Sequence, residues 1–310
     1  MADGARTAVL SFAIVHPPSG IPLNARQLFG LVLLTLMWGL NWPVMKLGLH
    51  EWSPLWFRAF TMAGGTLVLL AYYGRRGIAL LPRGARQWRS VVVLGLPNVM
   101  GWHGLSIIGV AHLPAGRAAI LGFTMPVFTV LLSVLFYGER FTARLGLAVA
   151  AVLVALALLL WNELSSLAGS PAGIAWMQAA AFCWALGTVW MQRANLTLAP
   201  ETLLIWMLGL SSLALGLLAS ALEPAPHWPA GALMWGVLAW SMLLNYGAAQ
   251  VIWFAMARAL PPSTSAMSVT AIPIVGILSS MLIGEQPGWQ DGLATVCVVV
   301  AICAVLLKRR

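Results

Sequence analysis

Charge is what this sequence has least of. Asp, Glu, Lys and Arg make up 8% of its 310 residues and hydrophobic residues 61%, whereas about 25% of a soluble domain is charged. A soluble chain of this length would bury a core and still need a polar surface, and the residues to build one are missing. Lipid must therefore solvate most of it. Acidic residues are scarce in a further sense: Glu51, Glu139, Glu163, Glu201, Glu223, Glu285 and Asp291 all fall in connections or at the ends of apolar runs. A strongly cationic solute would find no counter-ion midway, and a central carboxylate relay for protons is absent. Cysteine is limited to Cys183, Cys297 and Cys303, each inside an apolar segment and none in a Cys-x-x-Cys or Cys/His cluster. They read as packing residues, and no metal or cofactor is expected. There is no His-Glu-x-x-His element and no poised pair of titratable groups inside the apolar runs, which argues against an intramembrane enzyme. The lack of a charged ring argues against an ion channel.

What is there is a series of long apolar runs. A spanning length of about 20 residues, with breaks at Pro, Gly and charge clusters, predicts ten helices. They cover approximately 28–48, 54–74, 89–110, 115–137, 143–161, 172–192, 200–222, 231–257, 262–283 and 288–307. Continuous runs without dyad alternation exclude a barrel. The net charge of +9 does not point to nucleic acid, because the basic residues sit in short connections, as topology signals do. With the N-terminus in the cytoplasm, the inner segments hold Arg6, Arg26, Arg75, Arg76, Arg83, Arg86, Arg89, Arg140, Arg144, Arg193, Arg258 and Lys308–Arg310. The outer side holds only Lys46 and Arg117, so both termini are expected in the cytoplasm of a cell with a bacterial-type inner membrane. Residues 1–27 contain one apolar run, Ala8–Val15, too short to span, and are expected to be a disordered cytoplasmic lead-in.

The chain writes itself twice. Asn98, Pro114 and Pro126 fall on Asn245, Pro261 and Pro273 at one constant offset, and Trp38, Pro54 and Glu139 fall on Trp184, Pro200 and Glu285 at an offset one residue shorter. Each unit has five spans, so the second must enter the membrane upside down. The expected fold is an all-α membrane protein of ten transmembrane helices arranged as two inverted five-helix repeats, 28–161 and 172–307. Such repeats are a transporter architecture, since mirrored halves can rock about a midplane site. One chain then makes a complete transporter. A monomer suffices, and a dimer is compatible with it.

The first unit reads "WGLNWPVMK" at 38–46, then Pro54 and Arg58, then "PVFTVLLSVLFYGER" at 126–140. It resembles the EamA-type family of the drug/metabolite transporter superfamily, whose repeats carry Trp-Gly-x-Asn…Lys, Pro…Arg and Pro…Gly-Glu-Arg. In the second unit Gln286 stands in place of the arginine of the last element, and Leu204 stands near where a partner of Arg58 would lie. The resemblance implies ten helices, alternating access and mostly export of small metabolites. In character it resembles the YddG-like amino-acid exporters of that superfamily.

The tryptophans, 16 against four tyrosines, carry the rest. Trp52, Trp56, Trp88, Trp161, Trp228 and Trp289 fall near span ends, as an interfacial belt does. Trp38, Trp102, Trp184 and Trp253 lie deeper. Helical spacing aligns Tyr246, Gln250 and Trp253 on one face, Trp38 with Asn41 and Trp42 on another, and Asn98 with Trp102 beside His103. Aromatic surface mixed with amides is wasted on lipid but suits a cavity that stacks a planar solute and orients its polar end. Interhelical packing is the competing explanation for each residue taken singly. Thr124 and Ser268, in the small-residue stretches opening helices four and nine, are expected to face the same cavity. Pro126 and Pro273 are expected to loosen those helices as hinges. Glu139 and Glu285 are expected to anchor helix ends rather than couple protons, and Arg58 to snorkel to the headgroups or cap other helices, with binding of a substrate carboxylate as its alternative role.

These features favour a carrier of small neutral or zwitterionic metabolites, most of all amino acids and aromatic ones among them, working by facilitated diffusion or weakly coupled exchange. The alternatives are a proton-coupled multidrug or metabolite exporter and, from other classes, an intramembrane enzyme or lipid flippase. The partners implied are a small-molecule substrate and the lipid bilayer, with no nucleic acid.

Overall fold

A computed structural model describes residues 24–165, 169–229, 231–260 and 270–306. The chain crosses as ten helices: α1 (Ala25–Gly48), α2 (Pro54–Gly74), α3 (Gly84–His112), α4 (Ala115–Tyr137), α5 (Ala143–Ser165), α6 (Pro171–Arg193), α7 (Pro200–Leu222), α8 (Ala232–Ala257), α9 (Ile272–Ile283) and α10 (Trp289–Leu306). Among the described residues all but α9 are long and apolar enough to cross a bilayer. Several ends differ from the sequence reading, α5 for example running to Ser165. Ala25–Gln27, assigned to the lead-in, form the first turn of α1, because Asn24 and Gln27 cap each other reciprocally at 2.9 and 3.0 Å. Helix α3 begins at Gly84 and carries Arg86 and Arg89 in its first turns, since a helix can run past the lipid boundary where its charges meet water.

The packing has a two-fold logic. Helix α5 lies along α10, α2 along α7 and α4 along α9, while α1 packs on α8 and α9 as α6 packs on α3 and α4. Adding five to each label returns the same set of pairs, as two equivalent halves require. With five passes in each half, α6 runs opposite to α1. The bundle therefore has a Lys46 end, where α1 stops and α2 starts, and an Arg75 end opposite. Outward faces are apolar, with Leu67, Leu135, Leu153, Leu213, Leu217, Leu278 and Val296 exposed. Phe57, Ile107, Leu159, Met177 and Ile205 fill the interior.

The α4–α9 pair is close because its facing residues are small. A Cβ on Gly276 would fall 2.6 Å from Ala119, and one on Gly116 would fall 2.8 Å from Ser280 Oγ. In both helices a turn stands just ahead of a proline. α4 is helical over Ala115–Gly122 and restarts at Met125, with Pro126 second. α9 starts at Ile272 after a turn at Ala271, again with Pro273 second. Each finishes on a left-handed glycine, Gly138 at φ 65° and Gly284 at φ 86°, immediately before its glutamate.

A second pair of irregularities also repeats. Leu96–Gly101 in α3 and Trp240–Ala248 in α8 are π-helical, and Asn98 and Asn245 occupy corresponding places in them. The widened turn of α3 sits where helix α6 comes closest. A Cβ on Gly187 would lie 2.7 Å from the backbone nitrogen of Asn98, so only glycine fits.

Candidate substrate-binding site

Most of the residues chosen from the sequence converge between the halves. The break in α4 is the meeting point. A Cβ on Gly122 would come within 2.9 Å of the Trp42 ring and 3.1 Å of the Trp102 ring, so these indoles from α1 and α3 close over it from two sides. Trp42 also meets Phe123 edge-on, with centroids 6.5 Å apart, and Trp102 meets Trp184 of α6 at 5.6 Å. Asn98 joins the group by donating to the Trp184 carbonyl at 3.1 Å and to Thr188 Oγ1 at 3.2 Å. Thr124 is fully buried and hydrogen-bonds Gln178 Oε1 at 3.1 Å, while Gln178 Nε2 donates to Leu121 O at 3.3 Å. Asn41 is buried nearby on α1, and its Oδ1 has no hydrogen-bond partner among the described residues.

Polar side chains form a second group around Tyr246. Its hydroxyl lies 2.7 Å from Arg58 Nη1 and 3.1 Å from His103 Nδ1. The His103 and Tyr246 rings are 5.3 Å apart, and Trp102 is the chain neighbour of His103, so this group abuts the tryptophans. Trp38 and Trp253 pair at 5.6 Å, packed with Leu34, Met37 and Ala249, and Trp38 also packs against the core that holds Trp42 and Phe123. Gln250 is half-buried one turn from Trp253 and joins neither group by a hydrogen bond or ring contact among the described residues. Ser268 lies outside the described residues.

Several assignments change. Arg58 does not snorkel: it is 2% exposed, because Tyr246 of α8 and Met45 of α1 draw its guanidinium inward. Trp52, placed in the interfacial belt, is buried and donates to the His227 carbonyl at 3.0 Å, whereas Trp161, Trp228 and Trp289 are exposed. Two cavities open at the Lys46 end. One of about 430 Å³ opens beside Lys46, His50, Glu51 and Ser53, and one of about 140 Å³ lies among Arg117, Ser280, Glu285 and Asp291. None of the residues chosen from the sequence for the binding site lines either.

The Lys46 end holds a dense polar network that the sequence reading did not assemble. Lys46 Nζ donates to the carbonyls of Val110, Ala111 and Leu113, satisfying the C-terminal end of α3. Glu285 accepts from the Ala115 and Gly116 amides at 2.6 and 3.1 Å, capping α4 from the other half. Glu223 does the same for α2 through Leu55 and Trp56. Arg117 bridges Glu163 and Asp291. Glu139, the repeat counterpart of Glu285, is exposed and 3.7 Å from Arg193. The lone Gln178 within an apolar run was the overlooked signal for the α4–α6 contact.

Comparison with known proteins agrees with this architecture. A solved crystal structure superposes with a TM-score of 0.62 at 21% identity, over 88% of this chain and 95% of the other, which establishes a shared fold. The uncharacterized inner membrane transporter YedA of Escherichia coli (strain K12) is 25% identical over 288 residues, 91% of each chain. A "Probable amino-acid metabolite efflux pump" of Salmonella typhimurium is 25% identical over 278 residues, 85% of this chain and 89% of that protein. The EamA-like transporter family model matches residues 26–161 and again 171–307. Two copies of that unit account for nearly the whole chain, and the protein belongs to the EamA-like transporter family as a multi-pass membrane transporter.

Proposed function

We propose that this transporter exports amino acids, or small neutral or zwitterionic metabolites like them, across the inner membrane by alternating access, with aromatic amino acids preferred. The observation that carries this is the cluster of Trp42, Trp102, Trp184, Phe123 and neutral amides and hydroxyls, gathered from both halves at the break in α4. Rings of this kind stack a planar side chain while Asn and Thr orient its polar end. The absence of any Asp or Glu from the middle of the spans disfavours organic cations and proton relays through carboxylates. The printed name of the Salmonella relative supports the amino-acid class, and that of YedA the inner membrane. The basic residues gathered at the Arg75 end support cytoplasmic termini. Coupling is by facilitated diffusion or weakly coupled exchange, and a monomer is sufficient.

The test is uptake into proteoliposomes of amino acids, sugars and quaternary amines, with and without a proton gradient. Saturable uptake of aromatic amino acids that is accelerated by unlabelled amino acid on the far side is expected. Transport confined to quaternary amines, or uptake that depends on the proton gradient alone, would overturn the proposal.

A further inference from the structure

Arg58 is a buried charge that no carboxylate among the described residues pairs with. Its guanidinium carries five N–H donors and stays cationic in proteins. Nη1 donates to the Tyr246 hydroxyl, and Nη2 faces only the Met45 sulfur at 3.1 Å, a weak acceptor. Nε is buried with no partner among the described residues. Among the described residues no carboxylate lies within 4 Å of it, and Glu163, Asp291, Glu223 and Glu285 at the Lys46 end are committed to other partners. A cation held in a low-dielectric interior without an anion is strongly disfavoured, and charges kept inside the membrane mark substrate paths.

One set of directions lets the donors and acceptors around the Tyr246 hydroxyl all pair. Tyr246 is 1% exposed, and its oxygen accepts from Arg58, so its O–H is left to donate to His103 Nδ1. An imidazole that accepts at Nδ1 carries its proton on Nε2. Nε2–H is engaged by none of the described residues and can donate to another oxygen. Arg58 and His103 thus present N–H groups beside the Trp102–Trp184 pair, and no group there accepts from an ammonium by charge.

We propose that Arg58 receives a carboxylate of the transported molecule, with His103 as a second donor and the tryptophans holding an aromatic or apolar tail. This rests on the carrier function proposed above and narrows it. The required feature is the carboxylate, and the α-amino group of an amino acid adds little. Aryl carboxylates without an amino group should therefore be ligands, while amides and decarboxylated amines of the same skeleton should not.

The experiment measures binding to the purified full chain in detergent, by thermal shift, and competition against phenylalanine uptake in proteoliposomes. The probes are phenylalanine, 3-phenylpropionate, phenylalaninamide and phenethylamine. Phenylpropionate is expected to bind within severalfold of phenylalanine, and the amide and amine about tenfold or more weaker, the loss of a charge-assisted pair. Arg58→Gln should erase this discrimination, and Arg58→Lys should keep part of it. The panel on the unmodified protein decides the matter even if the variants fail to fold. If the amide or amine competes as well as phenylalanine, the carboxylate receptor is wrong while the carrier proposal stands. Should phenylpropionate bind while no amino acid is transported, the receptor stands and the amino-acid assignment falls. No stabilisation by any of the four would overturn both.

Discussion

Arg117 offers a quantitative test of what ties the two halves together. It sits in the first turn of α4, with Nε 2.7 Å from Asp291 Oδ1 and Nη2 3.2 Å from Oδ2, and with Nη1 on Glu163. The carboxylates are 4% and 3% exposed and the arginine 15%. Removing one partner of a buried ion pair costs about 3–5 kcal/mol because the other charge is left uncompensated. The partial exposure of Arg117 lets water reach the orphaned oxygens, and Ser170 and Gly288 still donate to them, so about 2–4 kcal/mol is the working figure for Arg117→Met. At a few degrees per kcal/mol, the melting temperature should fall by about 5–10 °C. Scanning the purified protein in detergent by intrinsic fluorescence would measure it. Neutralising the stranded acids as well, in Arg117→Met/Glu163→Gln/Asp291→Asn, should recover much of the loss, since a neutral amide needs no cation. A single variant that melts with the parent, or a triple variant that melts below the single, would refute the reasoning.

Three further outcomes follow from the geometry. Glu285→Gln should cost about 1–2 kcal/mol through the weakened α4 cap, and Glu139→Gln less than about 0.5 kcal/mol because it is exposed; thermal scans of the pair would check the contrast. Gly187→Ala places a methyl carbon 2.4–2.7 Å from Asn98, so it should lower thermal stability by about 1–3 kcal/mol or more, whereas Gly231→Ala, with open space around it, should not. Pro126→Ala and Pro273→Ala should let α4 and α9 run on without interruption and slow uptake severalfold with little change in apparent affinity; unaltered uptake rates would rule out a hinge at these breaks.

The spans and the doubling were legible because both rest on signals of long range in the sequence: twenty-residue apolar runs, and paired Pro, Trp and Glu positions. The direction in which a long side chain reaches is not such a signal. Arg58 lies one turn inside α2, from where the headgroups and the bilayer centre are both within range, and Tyr246, 188 positions away, decides between them. Trp52 was misplaced for the same reason, since its partner is His227. The π-helical turns have no composition of their own; that of α3 reflects a close approach between Asn98 and Gly187 that is visible only in three dimensions. Helical spacing pointed to Trp42, Asn98 and Trp102, depth in the span to Trp184 and a small-residue stretch to Thr124, whereas nothing in the sequence set Gln250 and Trp253 apart from them.

The paired π-helical turns bear on how this molecule arose. Such a turn sacrifices hydrogen-bond geometry, and two independent acquisitions at matching places, each around an asparagine, are implausible. Duplication of a five-helix unit that already carried the distortion would leave it in both copies. Such a unit would have to insert facing both ways and meet its own twin to complete the bundle.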